Sequence, residues 1–481
     1  DTLAAAHPKN VDIVYARARA RYSARDYPRA AAAYQAAALA GGAGVAEARY
    51  YSARASARAG DPDGALSRYA EAVTRHGTTG WAERASFRIA ELLSIEARYP
   101  EAAKAWTQYL SRFGRSRYAE DARYGQAMAL LSSGEPKRAR EIFAALREDA
   151  SSWWTGAQLQ HLEGVAAARS GDAEHAKKLW LGLIAERPLT WPAMVAHARL
   201  AQLGHEPMPP LIGDPPARPH APLPVALPPP VALLHSLGLD DDAERRLAAM
   251  EQEAASPYPK RESEALCNMY GMLAPARRQH QVATRAVALD VLMRPPAAPE
   301  RWAWNCLYAR PYPTLVRAAG SEHGLAEDLI YAVMRQESAF KADAASPVGA
   351  RGLMQLMPYT ARAAAQEAGR DPDVDFLRPD VNTQLGAFYL AKLLKGFSGN
   401  APLAVAAYNA GPTAVAHWLA KRGDAEIDLW VARIPYHETR TYVARVMSNL
   451  ARYQYLSGGR DAVTAITLAP PGEIDIGKDA Y

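Results

Sequence analysis

The sequence contains no apolar run as long as the ~18 residues that a helix needs to span a bilayer. It has two cysteines, Cys267 and Cys306; they can form one disulfide, but two thiols do not define a redox compartment. It also lacks a His and Cys cluster with metal-ligand spacing and a glycine-rich phosphate loop. We therefore expect a protein with no transmembrane segment, no metal centre and no cofactor.

Basic charge is not clustered in any one part of the chain. The net charge of +5 mildly favours an anionic partner. The arginines are nevertheless spread along predicted helices, so the sequence gives no case for a nucleic-acid partner. A chain of 481 residues with 49% hydrophobic and 22% charged residues is typical of a globular protein with roughly two to four domains.

Five segments in the first half repeat one pattern, an alanine followed by an aromatic residue one helical turn later. The pairs recur every 35 to 37 residues: Ala30 and Tyr34, Ala65 and Tyr69, Ala102 and Trp106, Ala139 and Phe143, Ala176 and Trp180. Residues four apart share a helix face, and the Gly, Asp or Pro before each pair starts a new helix. The period predicts helix hairpins of the tetratricopeptide type, stacked into a solenoid. A concave binding surface is one reading, but we expect these aromatics to be inter-helix core.

Proline marks the boundary after the repeats. Residues 206–230 include eleven prolines, which block both helix and central strand. The sequence predicts an α-superhelical repeat domain over 1–205, a Pro-rich connector over 206–230 and a helical linker domain over 231–300. A compact domain over 301–456 and an irregular tail over 457–481 complete the prediction.

One carboxylate in the compact domain combines two features that disfavour its charged form. The apolar residues Leu329 and Val333 follow a helical row that continues to Glu337 at the end of the predicted helix. Burial and the negative end of the helix dipole both raise a carboxyl pKa, and a protonated carboxyl is what a general acid needs. The alternative is a buried structural glutamate paired with a base such as arginine.

Three later stretches contain further polar candidates. "GLMQLMP" offers Gln355, which can hydrogen-bond hydroxyl or acetamido groups, and Met357, which can cover an apolar ring face. "AYNAGP" places Tyr408 and Asn409 in the last turn before Gly411, where ordinary helix capping is an alternative explanation. "ETRTYV" puts Glu438 in a first helical turn, where the acid can also complement the helix dipole.

These motifs together carry a family resemblance. "ESAF", "GLMQLMP", "AYNAGP" and "ETRTYV", in this order, resemble the soluble lytic transglycosylases of family 1, whose catalytic domain is of the goose-type lysozyme class. The resemblance implies a mainly α protein: a tetratricopeptide-like α-superhelical solenoid, a helical linker domain and a lysozyme-like α+β catalytic domain. It carries over no disulfide.

The resemblance also implies roles for individual residues. Glu337 matches the catalytic glutamate, and Ser346 in "ASPVG" matches a serine that assists the substrate acetamido group or a sugar hydroxyl. The other positions implied in substrate binding are Gln355, Met357, Tyr408, Asn409, Glu438 and, as a weaker candidate, Tyr442.

The implied reaction is cleavage of the MurNAc-β-1,4-GlcNAc bond of peptidoglycan without water, giving 1,6-anhydro-MurNAc ends. One glutamate acts first as acid and then as base. The implied partners are glycan strands and, through the solenoid, other cell-wall enzymes. Because the implied substrate is peptidoglycan, we expect the periplasm of a Gram-negative bacterium; no basic and then apolar leader is visible at Asp1, which is what a mature chain would show.

Two other functions fit part of the pattern. A goose-type muramidase would have the same fold but use water as the acceptor. A repeat scaffold whose C-terminal domain binds glycan without cutting it would explain the solenoid, but the intact Glu337 speaks against it.

Overall fold

The computed structural model describes residues 10–77, 79–213, 223–274, 277–288, 296, 300–422, 425–470, 472 and 474–476. These residues form 25 α-helices and one 3-10 helix. Their β structure is limited to the isolated bridges Ala345↔Arg351 and Arg351↔Leu356. The mainly α fold expected from the sequence is confirmed. None of the helices in the described ranges is long and apolar enough to cross a membrane.

The chain divides into two compact units, Asp1–Ala176 and Lys177–Tyr481. The first unit consists of consecutive helix hairpins. Its helices are α1 (Val11–Ser23), α2 (Tyr27–Ala40), α3 (Val45–Arg58), α4 (Pro62–His76), α5 (Gly80–Ile95), α6 (Tyr99–Phe113), α7 (Ala119–Ser132), α8 (Pro136–Glu148) and α9 (Trp153–Arg169), followed by α10 (Ala173–Glu186), in which the boundary falls.

Local sequence signals explain where the second helix of each hairpin begins. The Asp26 carboxylate accepts a hydrogen bond from the Arg29 backbone N–H at the start of α2, and Asp61 does the same for Gly64 at the start of α4. Such capping satisfies a backbone donor that has no partner inside the helix. The helices α2, α4, α6 and α8 also carry proline in their first turn, where its missing N–H costs nothing.

The repeated alanine and aromatic residues lie on these second helices and are buried. Each alanine of the five pairs is 0% exposed, and no aromatic partner exceeds 3%. The interpretation of these residues as inter-helix core is therefore confirmed. The alanines let neighbouring helices approach closely, and the rings fill the space beside them.

The second unit begins with helices that the sequence assigned to the end of the repeats and to the linker. They are α11 (Trp191–Gln202), α12 (Pro229–Ser236), α13 (Asp240–Ala248), α14 (Glu251–Ala255), α15 (Glu262–Tyr270) and α16 (Arg277–Ala286). Within the predicted connector, residues 206–213 and 223–228 contain no helix, whereas residues 214–222 lie outside the described part. Most of the "RPPAAPE" segment also lies outside it, so the five-segment division stays a prediction.

The compact C-terminal helices complete the second unit. They are α17 (Arg301–Leu307), α18 (Pro313–His323), α19 (Glu327–Ser338), α20 (Pro358–Glu367), α21 (Pro379–Gly396), α22 (Ala401–Ala410), α23 (Pro412–Arg422), α24 (Ile427–Ala432) and α25 (His437–Gly458). The tail adds the 3-10 helix Arg460–Ala462 and is otherwise irregular where described. It is nevertheless attached, because the Asp475 N–H donates to the Gly396 carbonyl at 2.9 Å.

The two cysteines form a disulfide, a pairing that the sequence left open. Cys267 on α15 is joined to Cys306 on α17, with a Cα separation of 5.8 Å. Both side chains are buried. The bond links the predicted linker helices to the first helix of the predicted catalytic region.

Candidate active site

Glu337 lies in the last turn of α19, whose buried face contains Val333 and Met334. Its side chain continues that face, as the helical spacing predicts, and is half-buried. The helix ends at Ala339 with a left-handed φ of 47°, and Phe340 follows with a φ of 68°. Two consecutive residues in this region turn the chain sharply just beyond the carboxylate.

The hydroxyl of Ser338 fixes this turn to the next part of the site. It donates to the Leu353 carbonyl at 2.8 Å, and it accepts a hydrogen bond from the Phe340 N–H at 3.1 Å. The residue after Glu337 thus connects the end of α19 to the "GLMQLMP" loop.

The loop over residues 344–357 folds on itself through short backbone contacts. The Gly352 N–H donates to the Ala344 carbonyl at 2.9 Å, and Arg351 and Leu356 exchange two hydrogen bonds of 3.0 Å. Gly352 has a φ of 82°, and a Cβ atom there would collide with the Asn382 side-chain amide. Glycine is required at this position for both reasons.

Asn382 on α21 is fully buried and supports the same loop. Its Oδ1 accepts from the Met354 N–H at 2.7 Å. Its Nδ2 donates to the Arg351 carbonyl at 3.1 Å and to the Phe376 carbonyl at 2.8 Å. One side chain therefore satisfies three backbone groups around the loop, which fixes the loop against α21.

The Glu337 carboxylate accepts a 2.5 Å hydrogen bond from the Tyr442 hydroxyl on α25. Burial raises the pKa of Glu337 to about 7; the Tyr442 hydrogen bond opposes this rise, and the charge of Glu438 adds to it. At neutral pH the protonated and ionised forms therefore coexist. The group can give up a proton and take one back without a large free-energy cost to either step.

The sequence left open an arginine partner for Glu337, but among the described residues no arginine pairs with its carboxylate. The nearest arginine along the helix, Arg335, donates to the Leu307 carbonyl and to Asn449 Oδ1, each at 3.1 Å. Its guanidinium also lies 4.6 Å from the centroid of the Tyr308 ring. The recorded hydrogen-bond partner of the Glu337 carboxylate is Tyr442.

Two tyrosines stand beside the carboxyl group. Burial, followed by the charge of Glu337, raises the pKa of both Tyr442 and Tyr408 well above their usual range. Both are therefore neutral hydroxyl donors at neutral pH. The Tyr408 hydroxyl donates to the Met354 carbonyl at 2.8 Å, so it also ties α22 to the loop.

The other residues predicted from the sequence lie around this centre. Asn409 Oδ1 accepts from the Thr439 hydroxyl at 2.7 Å, which links α22 to α25. Glu438 is exposed in the first turn of α25, near enough for its charge to raise the pKa of Glu337. Met357 is half-buried at the N-cap of α20.

Ser346 and Gln355 form hydrogen bonds within the loop, and neither forms one with Glu337. Ser346 Oγ accepts from the Ala350 N–H at 2.9 Å. The Gln355 amide nitrogen donates to the carbonyls of Ala344 and Gly352, at 3.0 and 2.9 Å. The group that Gln355 has left to offer a ligand is its amide oxygen, an acceptor.

Sequence reasoning missed three residues that position the site: Ser338, Asn382 and Thr439. Ser338 was part of a motif, but it had no role assigned because its partner is distant in sequence. A signal for Asn382 was present, since a polar residue stands among the apolar residues of "DVNTQLGAFYL". A buried polar group of this kind requires hydrogen-bond partners.

Helices α24 and α25 also form contacts with α11, within the same unit. The Arg199 guanidinium on α11 forms a buried bidentate pair with Asp428 on α24, with distances of 2.9 and 2.7 Å. The Trp191 N–H donates to the Ser448 hydroxyl on α25 at 2.8 Å. The Trp191 contact restrains the helix that carries Glu438 and Tyr442, and the Arg199 pair restrains α24, which precedes it in the chain.

The Tyr442 hydroxyl and the Glu438 charge act on Glu337 with opposite signs. We expect Tyr442→Phe to raise the pKa of Glu337 above about 7, because the phenol stabilises the ionised form. Glu438→Gln should lower it by a smaller amount, because Glu438 is exposed and screened by solvent. NMR titration of the carboxyl carbon measures both shifts. Tyr331→Phe, another buried tyrosine, is the control and should leave the titration unchanged.

Removal of the Asn382 amide should destabilise the second unit. In Asn382→Ala the Met354 N–H and two carbonyls lose their partner, at a cost of roughly 2–4 kcal/mol. Denaturant unfolding followed by tryptophan fluorescence measures this loss. Lys392→Ala, which removes a surface ion pair from the same helix, should cost less than about 1 kcal/mol. Equal losses in the two variants would contradict the role of Asn382.

Residues 314–431 match the family model of the transglycosylase SLT domain. The chain is 35% identical over 171 residues to the soluble lytic murein transglycosylase of Escherichia coli. This aligned segment covers 34% of this chain and 26% of that protein. It is 38% identical over 144 residues to the one of Salmonella typhimurium, covering 29% and 22%. The chain thus spans about a quarter of the length of the curated relatives that it matches.

Solved structures extend the likeness of fold over most of the chain. An inactive mutant of the lytic transglycosylase Slt from Pseudomonas aeruginosa has a TM-score of 0.58 and 24% identity, covering 95% of this chain and 74% of that one. A complex of the 70-kDa soluble lytic transglycosylase with bulgecin A has a TM-score of 0.55 and 21% identity, covering 91% and 65%. The match of residues 314–431 to the transglycosylase SLT family model, together with these relatives, confirms the resemblance of the chain to the soluble lytic murein transglycosylases.

Proposed function

We propose that this protein is a peptidoglycan lytic transglycosylase that cleaves the MurNAc-β-1,4-GlcNAc bond without water and leaves 1,6-anhydro-MurNAc ends. The observation that carries the proposal is the half-buried Glu337 carboxyl, whose pKa is raised to about 7. Its place in the transglycosylase SLT domain supports the same reaction class.

In the first step Glu337 is protonated and donates its proton to the glycosidic oxygen. The bond from MurNAc C1 to that oxygen breaks, and the GlcNAc end leaves with the proton. The carbonyl oxygen of the MurNAc 2-acetamido group stabilises the positive charge that develops at C1, as in substrate-assisted glycosidases. The MurNAc C1 that is left behind therefore needs no protein nucleophile.

In the second step the ionised Glu337 acts as a base. It removes the proton from the MurNAc C6 hydroxyl, and the oxygen attacks C1 to close the 1,6-anhydro ring. Tethering favours this attack because the nucleophile is already part of the same sugar. Glu337 ends the cycle protonated, so it is ready for the next bond.

Tyr442 and Glu438 would adjust these two steps rather than perform them. The Tyr442 hydroxyl, 2.5 Å from Glu337, stabilises the ionised form that follows proton donation. The charge of Glu438 favours the protonated form that precedes it. The two groups together keep the carboxyl close to the balance that an acid-then-base role needs.

Ser346, Gln355, Met357, Tyr408 and Asn409 are proposed to line the glycan-binding groove. The free amide oxygen of Gln355 would accept from a sugar N–H or hydroxyl, and Met357 would cover an apolar sugar face. Peptidoglycan strands are the proposed substrate. The disulfide between Cys267 and Cys306 supports a periplasmic location, because such bonds persist in oxidising compartments.

Replacing the acid tests the proposal directly. Glu337→Gln keeps the size of the side chain but cannot donate and recover a proton, so turnover of purified peptidoglycan should fall by at least ~1000-fold. Binding to the same glycan should remain, because the amide retains the shape of the site. Release of soluble muropeptides measures turnover, and co-sedimentation with insoluble peptidoglycan measures binding.

Two comparisons separate a chemical effect from misfolding. Glu327→Gln makes the same substitution on the same helix and should leave turnover near the wild-type rate. Glu337→Gln itself should be at least as stable as the wild type at pH 8, because it removes a carboxyl that is costly to ionise when buried. A Glu337→Gln enzyme with near wild-type turnover would exclude Glu337 as the catalytic acid.

A further inference from the structure

Three aromatic side chains on neighbouring helices of the first unit form a continuous row. Tyr22 on α1, Tyr51 on α3 and Trp81 on α5 belong to the first helices of successive hairpins. The ring centroids of Tyr22 and Tyr51 are 5.6 Å apart, and those of Tyr51 and Trp81 are 5.8 Å apart. We call these three residues the aromatic row.

The aromatic row differs from the aromatics of the repeated pattern in its exposure. Tyr34 and Tyr69, on the second helices, are buried, with 3% and 2% of their surface exposed. The three rings of the row are each half-buried and keep part of their surface open to solvent. The three rings of the row also pack against the core clusters of these hairpins, but inter-helix packing does not use the part of each ring that stays exposed.

Arginine side chains accompany the row. The Arg54 guanidinium lies 5.9 Å from the ring centroids of both Tyr22 and Tyr51. The Arg84 guanidinium lies 4.6 Å from Trp81. Arg58 lies 5.5 Å from Tyr22 and donates to the Tyr27 hydroxyl at 3.0 Å. Stacking on rings restrains the planar guanidinium groups, of which Arg84 is exposed and Arg54 is half-buried.

The charges of Arg54 and Arg84 are not neutralised by carboxylates of the described residues. Acids on the same helices and hairpins pair with other arginines: Glu47 with Arg19, Glu71 with Arg49 and Arg75, and Glu91 with Arg88. The row therefore combines open ring surface with two guanidinium groups that can still pair with an anion.

We propose that this surface of the repeat unit binds the peptidoglycan strand itself, a contact that rests on the proposed function. The part of each ring that stays exposed beside the guanidinium groups would contact the apolar faces of the sugars. Arg54 and Arg84 would pair with carboxylates of the peptide stems. A neutral glycan would use the rings alone, whereas peptidoglycan offers both the sugar faces and the anionic groups that the surface matches.

A second contact of this kind raises the affinity of the whole chain for a polymeric substrate. A strand held by the aromatic row stays near the protein when it leaves the catalytic groove, so that rebinding is intramolecular. The contribution grows with the length of the strand and vanishes for a fragment too short to reach both sites.

The test measures binding of the full chain in the Glu337→Gln background to purified, protein-free peptidoglycan sacculi. Arg54→Glu with Arg84→Glu should weaken co-sedimentation by roughly tenfold, because two charge-assisted contacts become repulsive. The matched control is Arg75→Glu with Arg138→Glu. These arginines are 60% and 58% exposed on second helices, and their reversal changes the net charge equally but should leave binding unchanged.

Equal binding by the two double variants would overturn the proposal. Digestion of sacculi by the enzyme with an intact Glu337 is measured separately. If the enzyme digests sacculi but both double variants bind equally, only the proposed binding surface is refuted. If the enzyme never digests sacculi but binds them through Arg54 and Arg84, the proposed activity is refuted and the binding surface stands.

Discussion

The hydrogen bond from Tyr442 to Glu337, inside a partly desolvated site, is the interaction on which the rest of the account depends. Burial alone would hold the carboxyl in its protonated form, since a low dielectric penalises charge. The phenol restores part of the stability of the carboxylate. Because the two effects oppose each other, the pKa is raised to about 7, which is the value that the proposed acid-then-base role of Glu337 needs.

Most of the surrounding structure keeps that pair in place. Ser338 joins the end of α19 to the loop, Asn382 holds the loop against α21, and Tyr408 connects the loop to α22. Non-glycine residues with positive φ, Ala339 and Gln355 among them, cost roughly 1–3 kcal/mol each. Such strain persists where the surrounding hydrogen bonds determine the conformation, which is the case here.

The sequence predicted the features that depend on local periodicity. The alanine and aromatic spacing predicted the buried faces of the hairpins, because residues four apart must share a side of a helix. The same argument predicted that Glu337 would lie at the end of an apolar stripe. The family resemblance implied Tyr408 and Glu438 as substrate-binding positions, and the structure places both near enough to Glu337 to affect its titration or to be affected by it.

Features set by long-range contacts were not accessible in the same way. The hydrogen bond between Glu337 and Tyr442 joins residues 105 positions apart, and Tyr442 was a weak candidate from the motif alone. The pairing of Cys267 with Cys306 required the Cα separation that the fold supplies. Gln355 was predicted to hydrogen-bond hydroxyl or acetamido groups, but its amide nitrogen is turned into the loop, where it donates to two backbone carbonyls and the residue has a φ of 47°.

The central claim is that the substrate supplies the nucleophile and the protein supplies a single carboxyl. Digestion of peptidoglycan in water enriched in oxygen-18, followed by mass spectrometry of the products, tests it most directly. The account predicts MurNAc ends that are lighter by one water than the hydrolysis product and carry no label. Reducing MurNAc ends labelled with oxygen-18 would contradict it and would make the enzyme a muramidase.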